Sequence, residues 1–208
     1  MSNYSTRTFQ LNTLADLVLA NVNAELVTYR GRSALRLTEQ DTESEKECIA
    51  ILQDSDFNNG VIETEVAGSP RADASEFARG FVGIAFRVES TGRQFEYFYI
   101  RPTNGRADDQ LRRNHSTQYC SYPDYPWFLL REENPGVYES YTDLIVGEWT
   151  KIKIAVSGVS AQLYVNGAEQ PCLVVNDLTL RESQGQIALW VGGGTEAYFS
   201  ELTVKSFE

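Results

Sequence analysis

Hydrophobic and polar residues alternate along most of this chain with a period of two. Phe81–Glu89 sets Val82, Ile84, Phe86 and Val88 on one side and Gly83, Ala85 and Arg87 on the other. A pleated strand sends successive side chains to opposite faces, so the first set is expected in a core and the second away from it. Phe95–Arg101 reads the same way. Phe95, Tyr97, Tyr99 and Arg101 share one face, and Glu96, Phe98 and Ile100 share the other. Gln186–Val191 turns Ile187, Leu189 and Val191 inward and leaves Trp190 opposite. Val61–Ala67, Glu148–Ser157, Ala161–Val165 and Glu196–Lys205 add strands of the same kind. Arg30-Gly31-Arg32 joins Ala24–Tyr29 to Ala34–Thr38 as a hairpin, and Asn166-Gly167 is the strongest hairpin turn in the chain. Thr8–Asn21, with Leu11, Leu14, Leu17 and Leu19, is the best helix candidate and reads equally as an edge strand plus turn. Glu39–Glu47 reads as an acidic loop.

About twelve strands separated by turns, with almost no helix, predict an all-β chain folded as a two-sheet antiparallel β-sandwich or jelly roll. A sandwich of this length commonly forms one unit, so residues 1–208 are expected to be a single domain, with 1–45 as additional N-terminal strands. The connection from 102 to 147 is long enough to carry strands of its own, expected near 116–121 and 126–131, and to roof the concave face of a sheet. Small residues at Gly83 and Ala85 would leave room for a groove there.

Composition narrows the function. The net charge of −11 argues against nucleic acid, which requires a surplus of Lys and Arg. No apolar run approaches a membrane span. MSNYSTRTFQ lacks a positive region followed by an apolar run, so no signal peptide is expected and a cytoplasmic location is. Cys48, Cys120 and Cys172 have no metal-type spacing and read as free thiols in a reducing compartment, with one disulfide pair left open. Only Lys46, Lys151, Lys153 and Lys205 are lysines among the 18 basic residues, so the rest are arginines. The planar guanidinium fork suits carboxylates, phosphates and vicinal hydroxyls, or pairing with local acids.

The strand at Phe95 runs into a loop holding Arg101, Asn104, Arg106, Arg113 and the sole histidine, His115. With Arg87, Tyr97, Tyr99, Trp127, Arg131 and Trp190 they form the expected ligand face, aromatic rings stacking on sugar rings and polar groups bonding the hydroxyls. Glu63 and Glu65 project from one strand face about 7 Å apart. That separation falls in the window of about 6.5–9.5 Å used by inverting glycosidases. Glu63, Glu65, Glu139 and His115 are therefore the catalytic candidates, although two glutamates on a solvated face are the commoner case. No G-x-S-x-G elbow accompanies His115. No cofactor motif is present. Asp108, Asp109, Glu132, Glu133 and Glu139 would suit calcium better than a histidine-bound metal.

Residues 147–167 (GEWTKIKIAVSGVSAQLYVNG), 185–192 (GQIALWVG) and 196–204 (EAYFSELTV) resemble the C-terminal half of the concanavalin A-like lectin/glucanase sandwiches, including laminin-G-like domains. Trp149, Val156, Gly158, Leu163, Val165, Gly167, Gly185, Leu189, Phe199, Leu202 and Val204 carry the match. FNNGVIETEVAG and GFVGIAFRV look like the early strands of that superfamily, and a bacterial group, the 3-keto-disaccharide-hydrolase-like domains, shares the layout. These positions are structural ones, so the resemblance bears on fold more than on function. The Glu-x-Asp-x-x-Glu pattern of the glucanases is missing. The expectation is a sandwich that binds carbohydrate, acidic or heavily hydroxylated, on its concave face. The alternatives are a glycoside hydrolase or lyase, and a protein-interaction or structural domain.

Overall fold

The computed structural model describes residues 4–40 and 46–207. The middle of the expected acidic loop, 41–45, lies outside the described residues. In chain order the elements are β1 (Tyr4–Phe9), β2 (Leu17–Ala20), β3 (Val22–Tyr29), β4 (Arg32–Glu39), β5 (Cys48–Phe57), β6 (Gly60–Pro70), β7 (Val82–Val88), β8 (Phe95–Ile100), α1 (Pro102–Gly105), α2 (Gln110–Asn114), β9 (Thr117–Tyr122), α3 (Trp127–Glu133), β10 (Glu139–Ser140), β11 (Thr150–Ser157), β12 (Ser160–Val165), β13 (Leu173–Val175), β14 (Gly185–Val191) and β15 (Thr195–Phe207).

The strands form two antiparallel sheets. The first runs β13-β12-β11-β6-β15-β4-β3, with β1 also on β15; the second runs β10-β9-β8-β7-β14-β5-β2. The 13-residue β15 is long enough to serve two neighbours on one side. Ala197–Phe199 pairs with β4 and Leu202–Phe207 pairs with β1. A register shift between Phe199 and Leu202 on its β6 side bends the strand where the partner changes. One hydrophobic cluster fills the space between the sheets, with Ile62, Ile154 and Phe199 from one and Ile84, Phe98 and Leu189 from the other. The alternation in β7, β8, β11, β12 and β14 is what supplies those inward faces.

The edge-strand-plus-turn reading of residues 8–21 holds, and one other local expectation changes. Residues 8–21 hold no helix: β1 ends at Phe9, Leu11 adopts a φ of 52°, and Leu17 begins β2, whose pairing with β5 satisfies the backbone. Residues 126–131 are not a strand but enter α3, because Pro126 stands at its N-cap and the backbone bonds run from Leu130 to Pro126 and from Asn134 to Leu130. The strand expected near 116–121 is β9, which pairs with β8 and extends the second sheet.

Candidate functional site

The outer face of the second sheet is built by β8. Tyr99 lies opposite Gly83 on β7 and Gln118 on β9, and Gly83 lies opposite Trp190 on β14. A Cβ at residue 83 would sit 2.1 Å from the Phe98 carbonyl oxygen and 2.6 Å from the Tyr99 Cβ. Glycine there allows Tyr99 and Trp190 to close over the strand, with ring centroids 4.7 Å apart, and Tyr97 packs against both at 5.8 and 5.1 Å. The room above Gly83 and Ala85 is therefore filled by aromatic rings rather than left as an open groove. The Tyr97 hydroxyl and the Trp190 indole both donate to Glu47, at 2.9 and 2.5 Å. Burial pushes the Glu47 carboxyl up, and those two donors pull it down. Burial likewise holds the Tyr97 and Tyr99 hydroxyls well above their ordinary range.

Arg101 continues the same face one residue beyond β8. Its guanidinium donates to the Tyr99 hydroxyl (2.8 Å), Gln118 Oε1 (3.1 Å), Glu139 Oε1 (3.1 Å) and the His115 carbonyl (3.0 Å). The register makes this possible: Gln118 stands between Tyr99 on β8 and Glu139 on β10. Arg131 reaches Glu139 from α3 with Nε at 2.8 Å and with its Nη2. His115 Nε2 stands 3.5 Å from the same carboxylate. Burial is the largest influence on His115 and lowers its pKa; Glu139 opposes that shift, and Arg131 and Arg101 reinforce it. One buried carboxylate thus serves two guanidinium groups and an imidazole.

Arg101, His115 and Arg131 form one wall of a cleft of about 820 Å³ at the end of the second sheet where β7 begins and β8 and β14 end. The opposite wall comes from the β6–β7 loop and the glycine turn after β14. Arg71 lies there beside Asp73 (2.6 Å) and Glu39 (3.7 Å), and Glu39 accepts from the Gly194 amide at 2.8 Å. Phe77 and Trp127 hold exposed rings at the cleft, 71% and 42% accessible, and the Arg131 guanidinium stacks 4.6 Å from the Trp127 centroid. A smaller recess of about 240 Å³, sharing Glu39, Phe81, Trp127 and Gly193 with the cleft, lies over Tyr97, Tyr99 and Trp190. A third of about 460 Å³ lies beyond His115 and Arg131.

Of the residues named from the sequence, Arg101, Asn104, His115, Trp127 and Arg131 line the main cleft, while Tyr97, Tyr99 and Trp190 floor the smaller recess. The others lie elsewhere. Arg87 was expected beside them but turns inward between the sheets. Its φ of 54° and the neighbouring register shift insert a bulge that reverses its face. There it pairs with Glu96 at 3.5 Å and donates to the carbonyls of Asn58, Gly158 and Arg181. Glu63 and Glu65 belong to β6 of the first sheet, on its outer face, where Lys153 and Lys151 are their cross-strand partners and Arg32 binds Glu65. They cannot act with the cleft as an acid–base pair. Arg106 is held by Asp143 at the surface, and Arg113 by the Tyr141 hydroxyl. Glu139 offers no free oxygen to a substrate, both of its oxygens being taken by guanidinium donors.

Arg71, Arg79, Glu39, Glu47 and Phe77 were not among the candidates from the sequence, and Arg112 was weighed there only as one of four arginines between 101 and 113. The β6–β7 loop carries two arginines and two phenylalanines in eleven residues. That density was the one available signal, but nothing local says which sheet edge such a loop will cover. Among the described residues no three His, Cys, Asp or Glu side chains gather to hold a metal ion. The acids read as a calcium set are dispersed: Asp109 caps α2 and Glu139 is held by arginines. The three cysteines are free thiols, and burial pushes Cys48 up to about 12 and Cys172 to about 11.

No protein-family model and no curated protein matches the chain. Solved structures do. A carbohydrate binding module, CBM66, from Bacillus subtilis superposes with a TM-score of 0.58 at 12% identity over 89% of this chain and 92% of that one. A Bacillus subtilis protein of unknown function with a galectin-like fold gives 0.61 at 11% identity over 100% and 99%. A prokaryotic β-1,3-1,4-glucanase (lichenase) derived from a mouse hindgut metagenome gives 0.58 at 14% identity over 96% and 98%. Identities this low speak for architecture alone. The chain has the two-sheet sandwich fold of the concanavalin A-like lectins and glucanases.

Proposed function

We propose that the cleft at the end of the second sheet binds carbohydrate. The observation that carries this reading is the pairing of exposed aromatic rings, Trp127 and Phe77, with convergent guanidinium, amide and imidazole groups around one cleft. The C–H face of a pyranose stacks on such a ring, and fixed donors orient its hydroxyls. Arg131 packed on Trp127 and tied to Glu139 restricts that ring, which lowers the ordering cost of binding. The buried Tyr97–Tyr99–Trp190 stack acts as a rigid floor rather than as a contact surface. The likeness to a carbohydrate binding module is consistent with this reading. A glycan array followed by titration calorimetry tests it. Trp127→Ala is expected to weaken the best array ligand about tenfold or more, a loss of about 1.4 kcal/mol. Unchanged affinity overturns the site.

A hydrolytic reading has one observation of its own: Glu39 and Glu47 line the same recess over the aromatic floor. Reducing-end release from array ligands, lost in Glu47→Gln, would establish it. Intact ligands after prolonged incubation would remove it.

A further inference from the structure

The cleft carries a charge of its own. Arg71, Arg79, Arg101, Arg112 and Arg131 all line it, in a chain of net charge −11. The carboxylates available to them are fewer. Glu139 is shared by Arg101 and Arg131, and Arg71 takes Asp73 and Glu39. Arg79 donates from Nη1 to the carbonyls of Glu76 and Ala78, which leaves its charge uncancelled. Arg112 is exposed and has no acidic partner among the described residues. Burial first, then the nearby Arg112 and Arg101 charges, lower the Arg79 pKa against a smaller opposing effect of the Glu76 carboxylate. Asn104 stands beside this corner, 4% accessible, with its amide nitrogen bound to the His115 carbonyl and its Oδ1 buried without a partner. Such an acceptor is set to take a hydroxyl or another donor brought by a ligand.

We propose that the sugar taken by this cleft is anionic, its carboxylate or sulfate seated between Arg79 and Arg112 at the Arg101 side of the cleft. This rests on the carbohydrate reading above and names the class of sugar. A planar carboxylate matches the guanidinium fork in bidentate geometry, and a sulfate offers equivalent oxygens. The ring carrying the anion lies toward Trp127, within the breadth of the same cleft. Neutral sugars would leave Arg79 and Arg112 facing each other uncompensated.

The test uses matched pairs: trigalacturonate against its methyl ester, and a kappa-carrageenan oligosaccharide, whose only anions are sulfates, against its desulfated form. Each is titrated into the full chain at low and high sodium chloride. The charged member is expected to bind at least tenfold more tightly than its neutral counterpart, and the gap should narrow with salt because exposed charges are screened. Whichever pair shows the gap identifies the anion. In Arg112→Gln and Arg79→Gln the gap should fall towards one, with circular dichroism and melting temperature showing that each variant folds. Arg112 is exposed, so its variant removes charge without disturbing the core. If the neutral members bind as well as the charged ones, the charge assignment falls and the carbohydrate reading stands. If the gap survives both substitutions, the placement between Arg79 and Arg112 is wrong. If no member of either pair and nothing on a glycan array binds, both readings fall.

Discussion

Glu139 shows how much one side chain can hold. Its side chain is 2% accessible and lies between Arg101 and Arg131, with His115 at 3.5 Å. Removing one partner from such a cluster leaves uncompensated charge in a poorly solvated place, and Glu139→Ala is expected to cost about 3 kcal/mol in urea unfolding. A loss below about 1 kcal/mol would mean that water already screens these arginines. His115 adds a pH dependence. Burial, reinforced by the two arginines, lowers its folded pKa, so between the unfolded value near 6.5 and that lower value the native state binds fewer protons than the unfolded state. Stability contributed by His115 is thus intact above about pH 6.5 and declines as pH falls through this window. The melting temperature of the native protein should drop more between pH 7.5 and 5 than that of His115→Asn. Equal drops would rule the effect out. Arg101, His115, Arg131 and Glu139 were all legible as candidates because they are the polar residues at and beyond the end of an aromatic strand. Their convergence on one carboxylate was not, since it depends on the β8–β9–β10 register.

At the scale of elements, β8 kept the faces its alternation predicted and β7 did not. Tyr97, Tyr99 and Arg101 share the outer face, and Glu96 and Phe98 point between the sheets, because every residue from Phe95 to Ile100 pairs in regular register. In β7 the alternation holds from Val82 to Phe86 and fails at Arg87, where a left-handed residue shifts the register by one and sends a charged side chain inward. A period-two pattern has no term for a bulge. Gly83 was read as leaving room for a groove, but that room is taken by the protein's own Tyr99 and Trp190. Gly83→Val should cost about 2 kcal/mol or more through overpacking against the Phe98 carbonyl and Tyr99. It should also diminish the near-ultraviolet circular dichroism of the stacked rings. An unperturbed spectrum would show that the rings do not depend on the glycine.

At the scale of the molecule, the cleft and the Arg87 cluster occupy opposite ends of β7, about 17 Å apart along the strand. Arg87 binds carbonyls of the β5–β6 turn at Asn58, the β11–β12 turn at Gly158 and the loop before β14 at Arg181. Glu96 accepts from the Tyr119 hydroxyl at 2.9 Å and the Leu180 amide at 3.1 Å, and burial pushes its carboxyl up. The Arg87 guanidinium, paired with Glu96 of its own sheet, therefore ties that sheet to the β11–β12 turn of the other at the end away from the cleft. Arg87→Met strands Glu96 and empties three carbonyls, and should lower stability by about 3–5 kcal/mol. The loss should appear in a single cooperative transition, because both sheets share one core. A variant of unchanged stability would show that the cluster contributes specificity of pairing rather than free energy. Closing one end in this way leaves the other free to carry loops, which is where the cleft forms.

The alternation of apolar and polar residues determined most of the strands, the inward faces and the two-sheet architecture, because burial of one strand face is a local, periodic demand that any window of sequence displays. Composition set the charge, and the arginine bias pointed to an anion-tolerant surface. Which arginines meet was decided only by the tertiary structure. Glu63 and Glu65 read as catalytic candidates on one strand face, yet β6 pairs into the sheet away from the cleft, and sheet membership is a non-local choice with no period to announce it. Arg71 and Arg79 reach the cleft because the β6–β7 loop crosses from one sheet to the other and docks against the Gly194 turn, through the bond from the Arg71 amide to the Gly194 carbonyl. A surface loop satisfies its backbone wherever the sheets leave room for it, and that place exists only after they have packed.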